Sequence, residues 1–254
     1  MSTVKTNEVA TDLRIQGILS ESAVNSLGRE TRNVEVADIS TLYIDPVFSC
    51  FLIDASGSMK PYKQSVIDGQ YALLEILRKS MKCRQDALYV VQYLFSDTVK
   101  VLNSFSKLSP DGIDDVVILK SGDYYKPNSS TALYKSLFYL LQDMVANIAN
   151  AVDKGMASTF TIGVITDGDD TDGVIKPEEI RNIIRELLDK KILRSSIIIG
   201  LTNPDFTPAK LEELKTTLGF QEAIDLPRDE WEICREIRRA MEPKCVAGSI
   251  GVLI

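Results

Sequence analysis

The chain has 254 residues, 44% hydrophobic and 26% charged, a composition typical of a globular protein with one sizeable core. Its 36 acidic residues outnumber its 29 basic ones, giving a net charge of −7, and it has no block of Lys and Arg with interleaved aromatics, so no nucleic-acid partner is expected. Histidine is absent, which excludes Ser-His-Asp and Cys-His catalysis and zinc sites of the usual His-containing kind; we expect any metal to be held by oxygen.

The cysteines and the N-terminus bear on the cellular compartment. Four cysteines lie far apart with no CxxC pair, a pattern typical of free thiols in a reducing compartment: Cys50, Cys83, Cys234 and Cys245. The first residues lack the basic start and continuous apolar core of a signal peptide, and no later stretch reaches 18 uninterrupted apolar residues. We therefore expect a cytoplasmic protein with no membrane partner.

Residues 1–45 are mixed and polar, with short apolar patches that sustain no helical or strand period. We interpret them as an N-terminal arm that is partly ordered by packing on the main body. The pattern changes at Val47, where 47–53 is an apolar run that predicts a buried strand. Residues 61–80 carry apolar side chains on one helical face and begin with Pro61, a residue favoured at the first position of a helix.

Two further strands are predicted at 87–95 and 99–105. Only residues 96–98 separate them, which is too short for a crossover helix, so this pair should be an antiparallel hairpin.

The rest of the chain alternates helix and strand. In order, the predicted elements are a helix at 132–150, a strand at 158–166, a helix from Pro177 to Lys191, a strand at 195–201, a helix at 208–220, a weak strand at 222–226, a last helix at 228–242 and an apolar tail at 244–254. This alternation predicts a three-layer, doubly wound (Rossmann-like) α/β fold. Its sheet should be mainly parallel, with one antiparallel edge strand.

Polar side chains follow two of the predicted strands. Asp54 ends the first, and Asp167 follows the strand at 158–166. Because the carboxyl ends of parallel strands meet at one edge of a sheet, these carboxylates should lie side by side if the two strands are neighbours. Thr131, just before a helix, is a third source of oxygen at that edge.

Two carboxylates held close together repel each other, and a cation between them relieves that repulsion. Mg²⁺ takes six oxygens and is usually held by one or two carboxylates with weaker ligands and water. The alternate spacing in DASGS (54–58) lets one tight loop direct three side chains to one point, with Gly57 permitting the bend. The candidate donors are Asp54, Ser56, Ser58, Thr131 and Asp167.

DASGS at 54–58, Thr131 at a helix start and TDG at 166–168 together resemble the metal-ion-dependent adhesion site (MIDAS) of von Willebrand factor A domains. The resemblance extends over about residues 46–243, which leaves 1–45 as the arm and 244–254 as a tail. It implies that Mg²⁺ (or Mn²⁺) is bound directly or through water by the five residues named above. It also implies that a protein ligand completes the metal shell with a Glu or Asp carboxylate.

The family also suggests a working context. Intracellular single-domain members often act with AAA-type ATPases, metal chelatases, stress-response kinases or protein-degradation machinery, so the resemblance implies an adaptor or substrate-recruiting subunit. In integrin relatives the last helix moves with the metal site, and 228–242 is the corresponding helix here. The alternative is a structural role that does not depend on a metal, in which residues 1–45 or 244–254 join subunits in an assembly.

Simpler interpretations exist for each site residue taken singly. Asp54 or Asp167 could cap a turn, and Thr131 could be the N-cap of the helix that follows it. An enzyme of the haloacid dehalogenase kind would use Asp54 as a nucleophile, but it needs an aspartate where this chain has Ser56, and no Gly-rich lysine loop is present. We therefore expect no enzymatic activity.

The acidic run DGDDTD (167–172) has two interpretations of its own. Counted from Asp167, its oxygens and Glu178 fall at calcium-loop positions, but position 6 is Asp172 where such loops need glycine. Alternatively, Asp169, Asp170 and Asp172 form a negative rim that favours partners with basic surroundings, or they are simply solvated.

Three tyrosines near Thr131 also have two interpretations: Tyr124, Tyr125 and Tyr134 either contribute to a binding face or pack inside.

Overall fold

The computed structural model describes residues 2–80, 83, 85–112, 116–121, 124–168, 170–171 and 173–226. In chain order the elements are β1 (Ser2–Lys5), α1 (Thr6–Ile15), α2 (Glu21–Leu27), β2 (Asn33–Val36), β3 (Val47–Asp54), a 3₁₀ turn (Gly57–Tyr62), α3 (Lys63–Arg78), β4 (Leu88–Phe95), β5 (Val99–Lys107), a 3₁₀ turn (Leu119–Ser121), α4 (Leu133–Val152), β6 (Thr159–Thr166), α5 (Pro177–Asp189), β7 (Leu193–Leu201), α6 (Pro208–Leu218) and β8 (Glu222–Leu226).

A six-stranded sheet in the order β5-β4-β3-β6-β7-β8 forms the centre of the molecule. All neighbouring pairs are parallel except β4 and β5, which are antiparallel at one edge. The predicted hairpin and the predicted mainly parallel α/β sheet are both confirmed. Every residue of β3 and β4 is buried, because apolar side chains cover both faces of the sheet.

The two faces of the sheet carry different layers. One large apolar cluster joins the sheet to α4, α5, α6 and the N-terminal helices, and a second cluster joins the opposite face to α3 and the two 3₁₀ turns. Helix α3 begins at Lys63, not at Pro61, which lies inside the 3₁₀ turn. Two hydrogen bonds stabilise this 3₁₀ turn: Gly57 N–H donates to the Ser129 carbonyl, and Met59 N–H donates to the Ser56 carbonyl.

Residues 2–45, expected to form a partly ordered arm, contain two helices and a two-stranded antiparallel sheet. Side chains from both helices and the following loop belong to the large cluster, among them the fully buried Ala10, Leu13 and Ile39. This segment therefore adds to the core of the main body. We call residues 2–45 the N-terminal segment.

Helix α4 binds the backbone of the N-terminal segment with amide side chains. Gln142 Nε2 donates to the carbonyls of Leu27 and Glu30, at 2.9 and 2.7 Å. Asn147 Oδ1 accepts from Ala37 N–H at 2.9 Å. Buried backbone groups need such partners, and these contacts fix where the segment lies on the helix.

Several sequence-based predictions lie outside the described residues: the last helix at 228–242, the tail at 244–254, Cys234, Cys245, and the rim residues Asp169 and Asp172. Within the described part, Cys50 and Cys83 are buried and form no disulfide with each other. A search of that same part found no helix with the length and apolar character needed to cross a membrane.

Candidate metal centre

The two predicted carboxylates lie on neighbouring strands at the carboxyl edge of the sheet. β3 pairs with β6 in parallel, with Ile53 opposite Ile165, so Asp54 is level with Thr166 and Asp167 comes one residue later. The condition set by the sequence, that these strands be neighbours, is met. Asp54 and Asp167 are both buried.

Hydrogen bonds fix both oxygens of Asp54. Ser56 N–H donates to Oδ1 at 2.7 Å, and Thr166 Oγ1 donates to Oδ2 at 2.6 Å. The Ser56 contact closes the tight loop after β3, and the Thr166 contact comes from the adjacent strand. Asp54 is therefore held in one orientation by the fold itself.

The two serines of the DASGS loop connect to the second carboxylate. Ser58 Oγ donates to Asp167 Oδ1 at 2.7 Å, and Ser56 Oγ lies 3.1 Å from Ser58 Oγ. Ser56 is buried and Ser58 is exposed. The cluster therefore reaches solvent at Ser58. Gly57 has no positive φ and an added Cβ would lie 3.5 Å from the Ser129 carbonyl oxygen, an ordinary contact, so the bend does not need the conformational freedom of glycine.

Thr131 lies in the loop before α4, and backbone bonds tie this loop to the site. Asn128 N–H donates to the Ala55 carbonyl at 2.7 Å, and Ala132 N–H donates to the Ser96 carbonyl at 2.7 Å. Thr131 N–H donates to Thr171 Oγ1 at 3.0 Å, and the Thr131 carbonyl accepts from Thr171 N–H at 2.8 Å. The structure thus brings the loop of Thr131 to the same edge as the two carboxylates. The N-cap of α4 is Ala132, not Thr131.

Burial raises the pKa values of both carboxyls. Burial raises the pKa of Asp54 to about 6, against hydrogen bonds from Thr166 and Ser56 that lower it, and the nearby Asp167 charge raises it further. Burial likewise raises the pKa of Asp167, and the Ser58 hydrogen bond works against this. In the part of the chain that the structure describes, neither carboxylate is in an ion pair with a Lys or Arg.

The donor set fits a hard dication. Its groups are carboxylate and hydroxyl oxygens, the ligands that Mg²⁺ and Mn²⁺ prefer. The described residues contain no group of three or more His, Cys, Asp and Glu side chains that could hold a metal, which is consistent with a site that uses only two carboxylates and fills its shell with hydroxyls and water. A cation here would favour the charged form of both carboxyls and would offset the repulsion by Asp167 that raises the pKa of Asp54.

Sequence reasoning did not predict several contacts that shape this site. The Tyr125 hydroxyl donates to the Asp54 carbonyl at 2.5 Å, and Asn203 Nδ2 donates to the Asp167 carbonyl at 3.0 Å. Thr171 joins the loop of Thr131, as described above. These contacts join residues far apart in sequence through loops, and no periodicity or spacing in the sequence marks them.

The structure also decides between interpretations of neighbouring residues. Tyr125 is buried and packs inside, Tyr134 is half-buried, and Tyr124 is 42% exposed. Asp170 is not a free rim charge, because its Oδ1 accepts from Tyr134 N–H in the first turn of α4 and its Oδ2 accepts from Gly173 N–H. Glu178 lies in the first turn of α5, where a carboxylate favours the helix, so the calcium-loop interpretation gains no support there.

Solved structures with the same fold include von Willebrand factor A domains. A von Willebrand factor type A protein from Catenulispora acidiphila aligns with a TM-score of 0.55 and 16% identity, over 80% of this chain and 43% of that one. Proximal thread matrix protein 1 from the mussel byssus, with a zinc-occupied MIDAS motif, aligns at 0.50 and 15% identity, over 80% and 46%. The PilB minor pilin from Streptococcus sanguinis aligns at 0.50 and 12% identity, over 80% and 62%.

These alignments span less than two thirds of each solved chain and, at such low identity, show a common fold. Comparisons with protein-family models and with curated proteins gave no match.

Proposed function

We propose that this chain, which has the fold of von Willebrand factor A domains, is a divalent-metal-dependent protein-interaction module. Mg²⁺, or Mn²⁺, would be held by the five oxygen donors at the carboxyl edge of the sheet: Asp54, Ser56, Ser58, Thr131 and Asp167. A Glu or Asp carboxylate of a partner protein would complete the metal shell. The zinc-occupied MIDAS motif of the mussel protein supports the view that this fold can hold a divalent ion at such a motif.

One observation carries the proposal. Two buried carboxylates, each with a raised pKa, lie at the ends of neighbouring strands at one edge of the sheet, and one of them accepts from a serine that is open to solvent. No lysine or arginine among the described residues is in an ion pair with either of them. A folded protein that buries like charges in this way favours either a proton or a cation at that point. The neighbouring hydroxyl oxygens can serve as further ligands, so the arrangement suits a cation that takes several oxygen ligands.

Each residue has a separate part in binding. Thr166 and the Ser56 backbone orient Asp54, and Asn203 fixes the backbone of Asp167. Ser58 can donate its proton to Asp167 and still present lone pairs to an ion, since a hydroxyl has one donor and two acceptor sites. When bound, Mg²⁺ supplies an electrophilic centre with a coordination position that an anion from another molecule can occupy.

The proposal is tested with a minimal carboxylate ligand. N-acetylglutamate methylamide mimics a Glu side chain in a protein, and N-acetylglutamine methylamide is its neutral match. In NMR titrations with isotope-labelled protein and 5 mM Mg²⁺, we expect the glutamate compound alone to shift resonances around residues 54–58. The shifts should vanish with a chelator and with Asp54→Asn.

The matched control is Asp205→Asn, which removes an exposed carboxylate from the loop after β7. It should bind like the wild type. Equal binding of the two ligands, or binding that survives chelation, would overturn the proposal.

A catalytic role receives less support, and we infer a binding function. A phosphoryl-transfer enzyme with Asp54 as nucleophile needs a carboxyl acid and base two residues later. This chain places Ser56 there, with its Oγ 3.1 Å from Ser58 Oγ. Incubation with generic phosphate esters and Mg²⁺ should give no turnover above that of Asp54→Asn. Turnover that this variant abolishes would contradict the inference.

We further propose that the module acts in the cytoplasm as an adaptor or substrate-recruiting subunit. The buried thiols of Cys50 and Cys83, which form no disulfide with each other, support a reducing compartment. An assembly that contains an AAA-type ATPase is the partner class that the family resemblance favours. Affinity purification with and without chelator, repeated with Asp54→Ala, tests this: an ATPase subunit lost under both treatments is the expected result.

A further inference from the structure

A pocket of about 290 Å³ lies beside the candidate metal centre, on the side of β4 and β5. Ala55 is its common wall with that centre, since it lines the pocket and directly follows Asp54. Backbone bonds hold this wall: Ala55 N–H donates to the Phe95 carbonyl at 2.7 Å, and the Ala55 carbonyl accepts from Asn128 N–H at 2.7 Å. The pocket and the DASGS loop therefore belong to one rigid edge.

The charge of the pocket is opposite to that of the metal centre. Lys100, at the start of β5, and Lys126, in the loop before α4, both line it and are both exposed. The described lining residues include no carboxylate. Ser96, Thr98 and Asn128 supply neutral polar groups to the lining, and the Ser96 hydroxyl donates to the exposed Asp97 carboxylate at 3.0 Å. A group that enters the pocket thus meets two positive charges and several hydrogen-bonding side chains.

The position of Lys100 is supported by an aromatic ring. Its ammonium lies 5.7 Å from the centroid of the Tyr124 ring, within the range of a cation–π contact. Tyr124 is 42% exposed and lines the same pocket. A volume of about ten water molecules leaves room for one acidic side chain with some of its water.

We infer that this pocket receives a second acidic side chain of the same partner, so that the recognition element is a short acidic segment with two carboxylates. One carboxylate would go to the metal and the other to Lys100 and Lys126. The inference rests on the proposed function and adds the class of ligand. An acidic segment suits both places at once, because the two share the wall at Ala55 and because a bound cation in one and the lysines in the other would both attract anions.

The test uses capped peptides with Glu-(Gly)n-Glu, where n runs from 0 to 4, and matched Glu-(Gly)n-Gln peptides. Affinities are measured by NMR titration of the full chain with 5 mM Mg²⁺. At the best spacing we expect the Glu-Glu peptide to bind about tenfold more tightly than its Glu-Gln match. This advantage should shrink as salt rises from 50 to 500 mM, since exposed charges are screened.

Lys100→Met with Lys126→Met should reduce the advantage to less than twofold and leave the Glu-Gln peptide bound as before. The matched control is Lys107→Met with Lys154→Met, which removes two exposed lysines elsewhere and keeps the advantage. Thermal unfolding of each variant checks that it is folded. The charge loss is the same in both pairs, so a difference between them is due to the pocket.

The outcomes separate the two proposals. If both peptides bind equally and a chelator releases both, the second contact is overturned and the metal-dependent function stands. If neither peptide responds to Mg²⁺, the proposed function fails and the inference fails with it. A third peptide, with phosphoserine at the second position, tests the class of anion: a gain for phosphoserine with none for glutamate would overturn the carboxylate assignment.

Discussion

Among the described residues, buried carboxylates occur in two regions, and their surroundings differ. At the carboxyl edge, Asp54 and Asp167 lie together among hydroxyls and reach solvent through Ser58. On α4, Asp143 lies beneath the N-terminal segment with Arg32 3.4 Å from its Oδ1, and no hydrogen bond reaches that oxygen. Burial raises the pKa of Asp143 to about 7, although Arg32 works against this.

The difference shows what each region is suited for. An ion from solvent can approach the pair at the edge, whereas Asp143 is enclosed and can respond only through a proton or through Arg32. The first arrangement suits a ligand site, and the second attaches one part of the chain to another. The predictions below test this contrast, in decreasing order of expected effect.

The largest effect is expected when Asp143 loses its counter-charge. Arg32→Met removes the guanidinium near Asp143 and its hydrogen bond to the Tyr139 carbonyl. At pH 8 the free energy of unfolding should fall by about 3 kcal/mol, because a buried charge left without a partner costs several kcal/mol. Urea unfolding followed by circular dichroism measures it. Arg29→Met, which removes an exposed guanidinium from its pair with the half-buried Glu179, should cost only about 1 kcal/mol; equal losses would contradict the contrast.

A metal ion should stabilise the protein through one region only. At 100 times its dissociation constant, Mg²⁺ should raise the free energy of unfolding by about 2.7 kcal/mol, since it binds the folded state alone. Differential scanning calorimetry with and without Mg²⁺ measures the change. Asp54→Asn should abolish it and Asp143→Asn should retain it. Loss of the effect in both variants would mean that the two regions are not independent.

The pH dependence of the free energy of unfolding should report on Asp143. Its pKa rises from 3.8 to about 7 on folding, so between these values the folded protein keeps a proton that the unfolded chain has released. The free energy of unfolding therefore falls as pH rises through this window. The difference in free energy of unfolding between Asp143→Asn and wild type should therefore shift by about 2 kcal/mol in favour of the variant from pH 5 to pH 8. Urea unfolding at each pH measures this difference.

Two groups face Asp143 from the N-terminal segment, and their effects can be separated. Arg32 keeps its charge throughout this pH range, whereas Glu35 carries a negative charge that contributes to the raised pKa of Asp143. Glu35→Gln serves as the control and should preserve most of the slope. If the difference in stability between wild type and Asp143→Asn does not change with pH, burial does not raise the pKa of Asp143 as described.

The smallest effect is expected at the support of the metal loop. Tyr125→Phe removes the buried hydrogen bond to the Asp54 carbonyl and should cost about 1 kcal/mol of unfolding free energy, with a few-fold loss of Mg²⁺ affinity. Calorimetric titration with Mg²⁺ measures the second quantity. Tyr124→Phe, at an exposed ring, should change stability by less than about 0.5 kcal/mol. An unchanged Tyr125→Phe variant would mean that the loop does not depend on this bond.

The contrast also explains what could be predicted from the sequence. Apolar runs that end in Asp54 and in Asp167 mark buried strands and their carboxyl ends, so the edge and its two carboxylates follow from pattern and topology rules. The short link at 96–98 likewise determines the antiparallel edge. These predictions succeed because they rest on local periodicity and on connection length.

Other features depend on contacts that the local sequence does not encode. Asp143, Gln142 and Asn147 look like a polar helix face but are buried, because the N-terminal segment covers them. Tyr125 and Thr171 act on the site through loops whose path is set only once the sheet has formed. Pro61 is a good first residue for a helix, yet here it lies in a 3₁₀ turn, because the DASGS loop must first turn back toward the edge.

Helix α4 connects the two regions that were compared. Its first turn is held at the edge by Asp170, and about 15 Å further along its axis Asp143 and Gln142 meet the N-terminal segment. Because α4 is attached at both points, it cannot shift along its axis without breaking one of these sets of contacts. The contacts of residues 2–45 therefore restrain α4, and with it the loop of Thr131, against movement along the helix axis.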